Sequence, residues 1–298
     1  MGIFFSILSP AIFGINNCID KFLLQKHNIS PVVISIYGGV FAFIFGLILL
    51  VVTGFFPIDV KSLLIIVTSG FLTTIYLLPY YKALFLDEAS NVIPLFQFCP
   101  IFVLVMSFIF LHESLSIMQY IGCIIIILAG FLLSVDKLSG KIFKLRKSFF
   151  YMLLSSFLIA SALVLYKFSV QTIPFWNTLP YEGFGIALGG LAIFLFKNNK
   201  KAFLEETRGF KKRVFVFMTI NEIVYIISRY TGYFAISLIS VGIVSILSGF
   251  QPLFVLLYGI ILSLWFPKIM KETINKRVLF QKFMSIILMF FGLYFIFS

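Results

Sequence analysis

Five residues within one apolar stretch of this chain could do chemistry. Asn221, Glu222, Tyr225, Arg229 and Tyr230 all fall between residues 214 and 236. Glu222, Tyr225, Arg229 and Gly232 recur at spacings of three and four, so on a helix they share a face. Glu222 stands roughly 12 Å along the stretch at a rise of about 1.5 Å per residue, and Arg229 two turns further on. A guanidinium holds an anionic group; a carboxylate holds a cationic group or exchanges a proton. At membrane depth a charge costs about 2.5–3.5 kcal/mol on insertion scales, so this face must point into protein or water rather than lipid. Intramembrane ionisable residues mark binding sites and pathways by default. The plainer alternative is a fixed ion pair, or a snorkelling arginine, that locks helices together.

A second stretch supplies Trp176, Asn177, Tyr181 and Glu182. Glu182 is also roughly 12 Å deep, entered from the opposite side. It either pairs with Arg229 or acts as a second protonatable carboxylate. A carboxyl group withdrawn from water exchanges its proton closer to neutral pH, which makes Glu222 and Glu182 the proton-coupling candidates. One cation and two carboxylates suit a zwitterionic ligand. Asn16, Tyr76, Tyr80, Gln97, Ser245 and Gln251 complete the candidate lining; Asn16 suits an interhelical hydrogen bond equally well, and Tyr76 suits packing. Asp20, beside Lys21, reads as a helix end. Gly38, Ala42 and Gly46, and Gly185 and Gly189, have the small-residue spacing of close helix packing and no chemistry.

Composition decides what must position these residues. Hydrophobic residues make up 61% of the chain, charged residues 11%, and 40 residues are Phe; a soluble domain carries about 25% charged residues. Apolar runs long enough to cross a bilayer core of about 30 Å recur throughout. They predict ten spans, at 2–23, 31–53, 61–84, 89–111, 115–135, 148–168, 174–196, 214–236, 239–265 and 279–297. The net charge of +12 does not indicate nucleic acid, because the basic residues fall in short connections, the pattern that sets membrane orientation. Cys18, Cys99 and Cys123 all lie in spans and read as small hydrophobes. His27 and His112, the only histidines, make no metal cluster. There is no Gly-x-x-x-x-Gly-Lys phosphate loop, hence no ATP site. The first run has no basic leader and reads as a retained span rather than a signal peptide. Asn28-Ile29-Ser30 is a weak sequon that the charge bias places in the cytoplasm.

The chain repeats itself. Phe98-Cys99-Pro100-Ile101-Phe102-Val103-Leu104 returns as Phe250-Gln251-Pro252-Leu253-Phe254-Val255-Leu256, 152 positions on. Tyr81 and Ala83 match Tyr233 and Ala235 at the same offset; Ser9, Lys21 and Phe22 match Ser155, Lys167 and Phe168 at 146; Gln119 and Gly130 match Gln281 and Gly292 at 162. The offset changes only across connections. The halves are residues 1–137 and 146–298, with five spans each. Five is odd, so the second half enters the membrane from the other side: an inverted repeat, with a site expected near the midplane between halves. Pro10, Pro94, Pro100 and Pro252 are the helix-shaping residues, since a proline inside an apolar helix removes a backbone bond that something nearby must replace.

Lys and Arg placement gives the orientation. One set of connections carries Lys21, Lys26, Lys82, Lys137, Lys141, Lys144, Arg146 and Lys147, then Lys197, Lys200, Lys201, Arg208, Lys211, Lys212 and Arg213, then Lys268, Lys271, Lys276, Arg277 and Lys282; the opposite set has Lys61 and Lys167. The first set is cytoplasmic, and both termini are extracytoplasmic.

The segment from Pro94 through Pro100, Glu113, Leu115, Gln119 and Gly122 to Gly130 resembles the proline-to-glutamate-to-glycine pattern closing an EamA domain. Ten spans as two such domains resemble the drug/metabolite transporter superfamily. In the second half Trp265-Phe266-Pro267-Lys268 replaces the acidic end of span 4, and Met284 replaces Gly122. The resemblance implies an all-α integral membrane protein of two inverted five-helix EamA repeats. It implies a secondary active transporter, often an exporter, of a small polar metabolite such as an amino acid. The expected setting is a cell membrane, the bacterial inner membrane, with membrane lipids as partners, no nucleic acid, no cofactor, no metal, and a monomer or homodimer. Two rivals stand beside it: a lipid or polyprenyl-phosphate carrier of the same fold, in which Arg229 meets phosphate, and a membrane-embedded lipid-modifying enzyme, for which the scattered acidic residues and two histidines give no metal or pyrophosphate cluster. A channel would show a ring of like charges or a pore loop, and the sequence has neither.

Overall fold

The computed structural model describes residues 1–87, 92–134, 147–265 and 276–297, and every regular element among them is a helix. In chain order they are α1 (Gly2–Lys26), α2 (Pro31–Thr53), α3 (Val60–Ile75), α4 (Leu77–Leu86), α5 (Phe98–Leu111), α6 (Ile117–Ser134), α7 (Lys147–Val170), α8 (Phe175–Leu195), α9 (Lys197–Arg208), α10 (Lys212–Leu238), α11 (Val241–Leu247), α12 (Gln251–Trp265) and α13 (Lys276–Phe297). Seven stretches are long and apolar enough to cross a membrane: Gly2–Leu24, Pro31–Thr53, Val60–Leu86, Lys147–Val170, Phe175–Leu195, Lys212–Leu238 and Val241–Ser263. Three shorter apolar helices, Leu95–Leu111, Ile117–Leu132 and Phe283–Phe297, stand where the fourth, fifth and tenth spans are expected. Ser90, Asn91, Lys137, Lys141, Lys144, Arg146, Lys268 and Lys271 lie outside the described residues, as do the two boundaries at 137 and 146.

Three of the predicted spans are not single α-helices, and in residues 89–111 the 3-10 segment Ile93–Gln97 precedes α5. Residues 61–84 divide at Tyr76 into α3 and α4, and residues 239–265 divide into α11 and α12. The cause is proline chemistry. Pro79 lacks the N–H that would bond the Ile75 carbonyl, and its ring crowds that carbonyl, so α3 stops at Ile75. Pro100 sits in the first turn of α5 and Pro252 in the first turn of α12, where no intrahelical donor is lost. Each follows a short 3-10 segment, Ile93–Gln97 in one case and Ser248–Phe250 in the other. The two proline segments thus have one local form. Pro94 lies in the first 3-10 segment, whereas Pro10 and Pro180 are carried inside α1 and α8. Sequence reading singled out neither Pro79 nor Pro180.

The helices pack through their smallest residues. α1 lies along α10, α2 and α3 both lie on α8, α6 on α13, and α7 carries α3, α4 and α5. A β-carbon at Gly70 would collide with the Glu182 carbonyl, and one at Gly185 with the Val67 carbonyl. At Gly39 it would stand 3.0 Å from the Gly190 Cα, and at Gly183 2.9 Å from the Ala42 carbonyl. These approaches bring α8 against both α2 and α3 nearly at backbone contact.

One end of α10 is fixed by charge. Lys167 Nζ donates to the carbonyls of Ile236 and Ile239, both at 2.8 Å, and lies 3.6 Å from Glu113 Oε1. Glu113 Oε2 accepts from the Ser240 hydroxyl at 2.7 Å and from the Val241 N–H at 3.1 Å. The lysine therefore satisfies carbonyls orphaned at the end of α10, and the glutamate satisfies donors at the start of α11. At α3 the cap is local: Ser62 N–H donates to Asp59 Oδ2 at 3.0 Å, and its hydrogen bonding holds the Asp59 carboxyl below the usual carboxylate range.

Because Gly70 and Gly185 meet backbone, adding one methyl at either position forces helices apart. Gly70→Ala and Gly185→Ala should each destabilise the protein by about 1–3 kcal/mol. Gly209→Ala, where the added carbon meets only the Glu206 carbonyl at 3.5 Å, should be near neutral. Thermal unfolding of the three variants in one detergent checks the ordering.

Candidate functional site

The central group is Arg229 of α10. Its Nη2 lies 3.4 Å from Glu182 Oε2 of α8, and the two side chains are 5% and 0% exposed. The Tyr233 hydroxyl donates to Glu182 Oε1 at 2.8 Å. Tyr233 is held in turn by stacking on Tyr166, with centroids 3.7 Å apart and planes at 15°. Tyr166 and Thr178 hydroxyls are 2.9 Å apart, and Thr178 donates its single proton to the Phe175 carbonyl at 2.6 Å. The Tyr166 hydroxyl is thus the donor to Thr178. Tyr225 and Tyr230 flank the guanidinium, their ring centroids 5.4 and 5.3 Å from its central carbon. That is cation–π range.

The pair is charge-matched but poor in hydrogen bonds. Among the described residues, none of the guanidinium nitrogens makes a hydrogen bond of ordinary geometry, and neither do Glu182 Oε2 or the Tyr230 hydroxyl. A guanidinium has five donors in a fixed fork. Buried donors left without acceptors cost about 1–3 kcal/mol each. The pair is therefore held by charge more than by directed hydrogen bonds.

A second polar chain runs between α1 and α10. Asn16 Nδ2 donates to Asn221 Oδ1 at 2.7 Å and to the Asn221 carbonyl at 3.2 Å; Asn221 Nδ2 donates to Asp20 Oδ1 at 2.8 Å. Asn16 and Asn221 thus bond across helices, the plainer of the two expectations for Asn16. Asp20 corrects the sequence reading. It is not a solvated helix end but the acceptor that ends this chain, with Tyr80, Tyr81 and Glu222 within electrostatic reach of it. Its signal was Asn16 and Asp20 four apart on one helix face, outweighed by the neighbouring Lys21. Glu222 is 4% exposed, and its Oε2 comes within 3.1 Å of where a β-carbon at Gly38 on α2 would stand. Arg229 and Asp20 are the charged groups whose fields reach it.

The other candidates divide. Tyr76 borders Tyr225, Tyr80, Tyr81 and Cys99, so it extends the tyrosine wall of the Arg229 cluster. Tyr76 and Tyr80 also pack on Phe96, at 6.3 and 4.9 Å. Ser245, 3% exposed, lies beside Cys99. Gln97 is wedged between helices, near Gly130, where a β-carbon would stand 2.9 Å from its Nε2, and near Gly249, at 3.7 Å from its Oε1. It serves the packing of α6 and the second 3-10 segment. Gln251 is half-buried in the first turn of α12. Among the described residues no three His, Cys, Asp or Glu side chains group as a metal site. Sequence reading missed Tyr166, Thr178 and Tyr233 as the frame of Glu182; Tyr233 had been noted only for its match to Tyr81.

Comparison with known proteins follows from this geometry. Residues 1–135 match the model of the EamA-like transporter family. An uncharacterized protein of Methanocaldococcus jannaschii is 31% identical over 135 residues, covering 45% of this chain and 96% of that protein. It is therefore about as long as one half of this chain. A solved structure, described as the crystal structure of a protein, covers 99% of this chain and 96% of its own with a TM-score of 0.72 at 12% identity. At that identity the likeness is one of fold. All-helical architecture, apolar spans, the proline-to-glutamate segment of the first half and these matches agree: the chain is a multi-pass membrane protein that belongs to the EamA-like transporter family.

Proposed function

We propose that this protein is a secondary active transporter that exports a small zwitterionic metabolite, such as an amino acid, by alternating access coupled to proton movement. The observation that carries the reading is Arg229: a buried guanidinium in a tyrosine cage, paired with Glu182 and, among the described residues, with no nitrogen in a hydrogen bond of ordinary geometry. A substrate carboxylate supplies the acceptors that Glu182 does not, and Glu222, one face-turn pair away, takes the cationic end or the proton.

The architecture proposed is ten spans in two inverted repeats, residues 1–137 and 146–298, in the bacterial inner membrane with both termini extracytoplasmic. Helix contacts support it. If spans one to five map onto six to ten, the contact of α1 with α10 is answered by α7 with α3 and α4, and that of α1 with α11 and α12 by α7 with α5; α2 with α8, and α6 with α13, answer themselves. The largest departure is α3 on α8, which is broad, against α10 on α2, which is slight. At a sequence offset of 152, Gly70 answers to Glu222. Gly70 meets the Glu182 backbone directly, whereas the Glu222 side chain stands between α10 and Gly38. One gate is closed to backbone contact and its counterpart is propped by a carboxylate, as one state of an alternating-access cycle requires.

Proteoliposomes loaded with an equimolar amino-acid mixture test the reading. Saturable efflux of a subset is expected, and Arg229→Gln should lower it by about 10- to 100-fold, the worth of hydrogen bonds to a charged group. Selective extraction of a phosphate-bearing lipid, with no amino-acid flux, would replace this reading by the lipid-carrier one.

Coupling is tested separately. Wild-type efflux should respond to an imposed pH gradient. Glu222→Gln or Glu182→Gln should remove that response while equal-pH exchange of the same amino acid persists. An unchanged gradient response in both variants ends the coupling claim.

A double-mutant cycle separates site from structural lock. Removing one partner of a buried pair costs about 3–5 kcal/mol, mostly from the charge left behind. Glu182→Gln should therefore lower thermal stability, and Glu182→Gln with Arg229→Gln should recover much of the loss yet abolish transport. A double variant that is both stable and active would mean that the pair only holds helices.

A further inference from the structure

Among the described residues, the short helix α9 carries a dense run of charge. It joins α8, which holds Glu182, to α10, which holds Glu222 and Arg229. Lys197, Lys200, Lys201, Leu204 and Arg208 recur at spacings of three and four, so they form one stripe, and all five are exposed. Lys211, Lys212 and Arg213 are exposed and extend it toward α10. The acidic residues in this run are Glu205 and Glu206. Glu205 lies 3.8 Å from Lys201, a pair 76% and 64% exposed that cancels little charge. Glu206 faces inward, its Oε2 accepting from the Ser30 N–H at 2.9 Å at the head of α2.

The underside of α9 is anchored. Phe203 meets Phe194 of α8 with ring centroids 5.7 Å apart, and Phe203 and Phe210 pack on the cluster of Leu23, Ile29, Val33, Tyr37, Val214 and Met218. The basic stripe is therefore held in place at the end of the bundle where α8 ends and α2 begins. Apolar side chains stand at its level: Leu204 inside the stripe is 39% exposed, and Leu195 and Phe196 just before it are 71% and 59% exposed. A helix made only to be hydrated has no use for these. Cations mixed with apolar side chains at one level match the boundary between lipid headgroups and acyl chains.

We propose that α9 is a docking site for anionic phospholipid: headgroup phosphates bind Lys197, Lys200, Lys201 and Arg208 while Leu204, Leu195 and Phe196 enter the adjoining apolar layer. Each basic residue near an anionic surface contributes roughly fivefold to its affinity. A docked lipid holds the strap between the two helices of the Arg229–Glu182 pair, whichever substrate that pair serves.

The test uses the purified full-length protein in an uncharged detergent. Phosphatidylglycerol should raise the unfolding temperature in a saturable, salt-sensitive way, and phosphatidylcholine should not. The variant K197Q/K200Q/K201Q/R208Q should unfold at the wild-type temperature in phosphatidylcholine and bind phosphatidylglycerol more than tenfold more weakly. K197Q/R208Q, which removes only the ends of the stripe, should show an intermediate loss, and K61Q none. Equal stabilisation by the two lipids, wild-type binding by a folded K197Q/R208Q, or reproduction of the shift by inorganic phosphate alone would overturn the proposal.

Discussion

A guanidinium out of water must be met by charge, and the structure around Arg229 is arranged by that requirement. Glu182 meets it from α8, a different helix, so α8 must come close to α10 at the right depth. Glu182 in turn is aimed by Tyr233, Tyr233 by its stack on Tyr166, and Tyr166 by Thr178. Three side chains from three helices are thus ordered to present one carboxylate. The glycines of α8 make this positioning feasible, since they let α2 and α3 close on its flanks almost backbone to backbone.

Lipid gives helices no hydrophobic reason to associate. Close approach and polar contacts must do that work, and here they divide the labour along the bundle. Glycine contacts hold α8 to α2 and α3; the Asn16–Asn221–Asp20 chain holds α1 to α10; Lys167 and Glu113 hold the far end of α10. These bonded groups find their partners elsewhere in the bundle, as a low-dielectric setting demands.

Much of this was legible in the sequence, for reasons that are physical. Spans announce themselves because apolar length is set by membrane thickness. Arg229, Glu222 and Glu182 stood out because charge in an apolar run is costly. The pairing of Glu182 with Arg229 was one of two readings that residue type allowed, and only the helix arrangement brings them to 3.4 Å. Asp20 was hidden by Lys21, since an acid next to a base at the end of a run looks like a helix terminus. The division of residues 61–84 turned on Pro79, whose effect falls on Ile75, four residues earlier, and hydropathy does not register it. Gln97 had the polarity of a ligand contact, but its environment is two glycines that leave room for its side chain.

The corner made by Lys167 and Glu113 has a mechanical consequence. By bonding both the final carbonyls of α10 and the first N–H of α11, the two side chains weld the short connection at residues 239–240 into a rigid elbow. α10 and α11 then move as one lever. Bending of this half is displaced to the next weak point along the chain, the 3-10 segment Ser248–Phe250 ahead of Pro252, where the helical ladder is already interrupted.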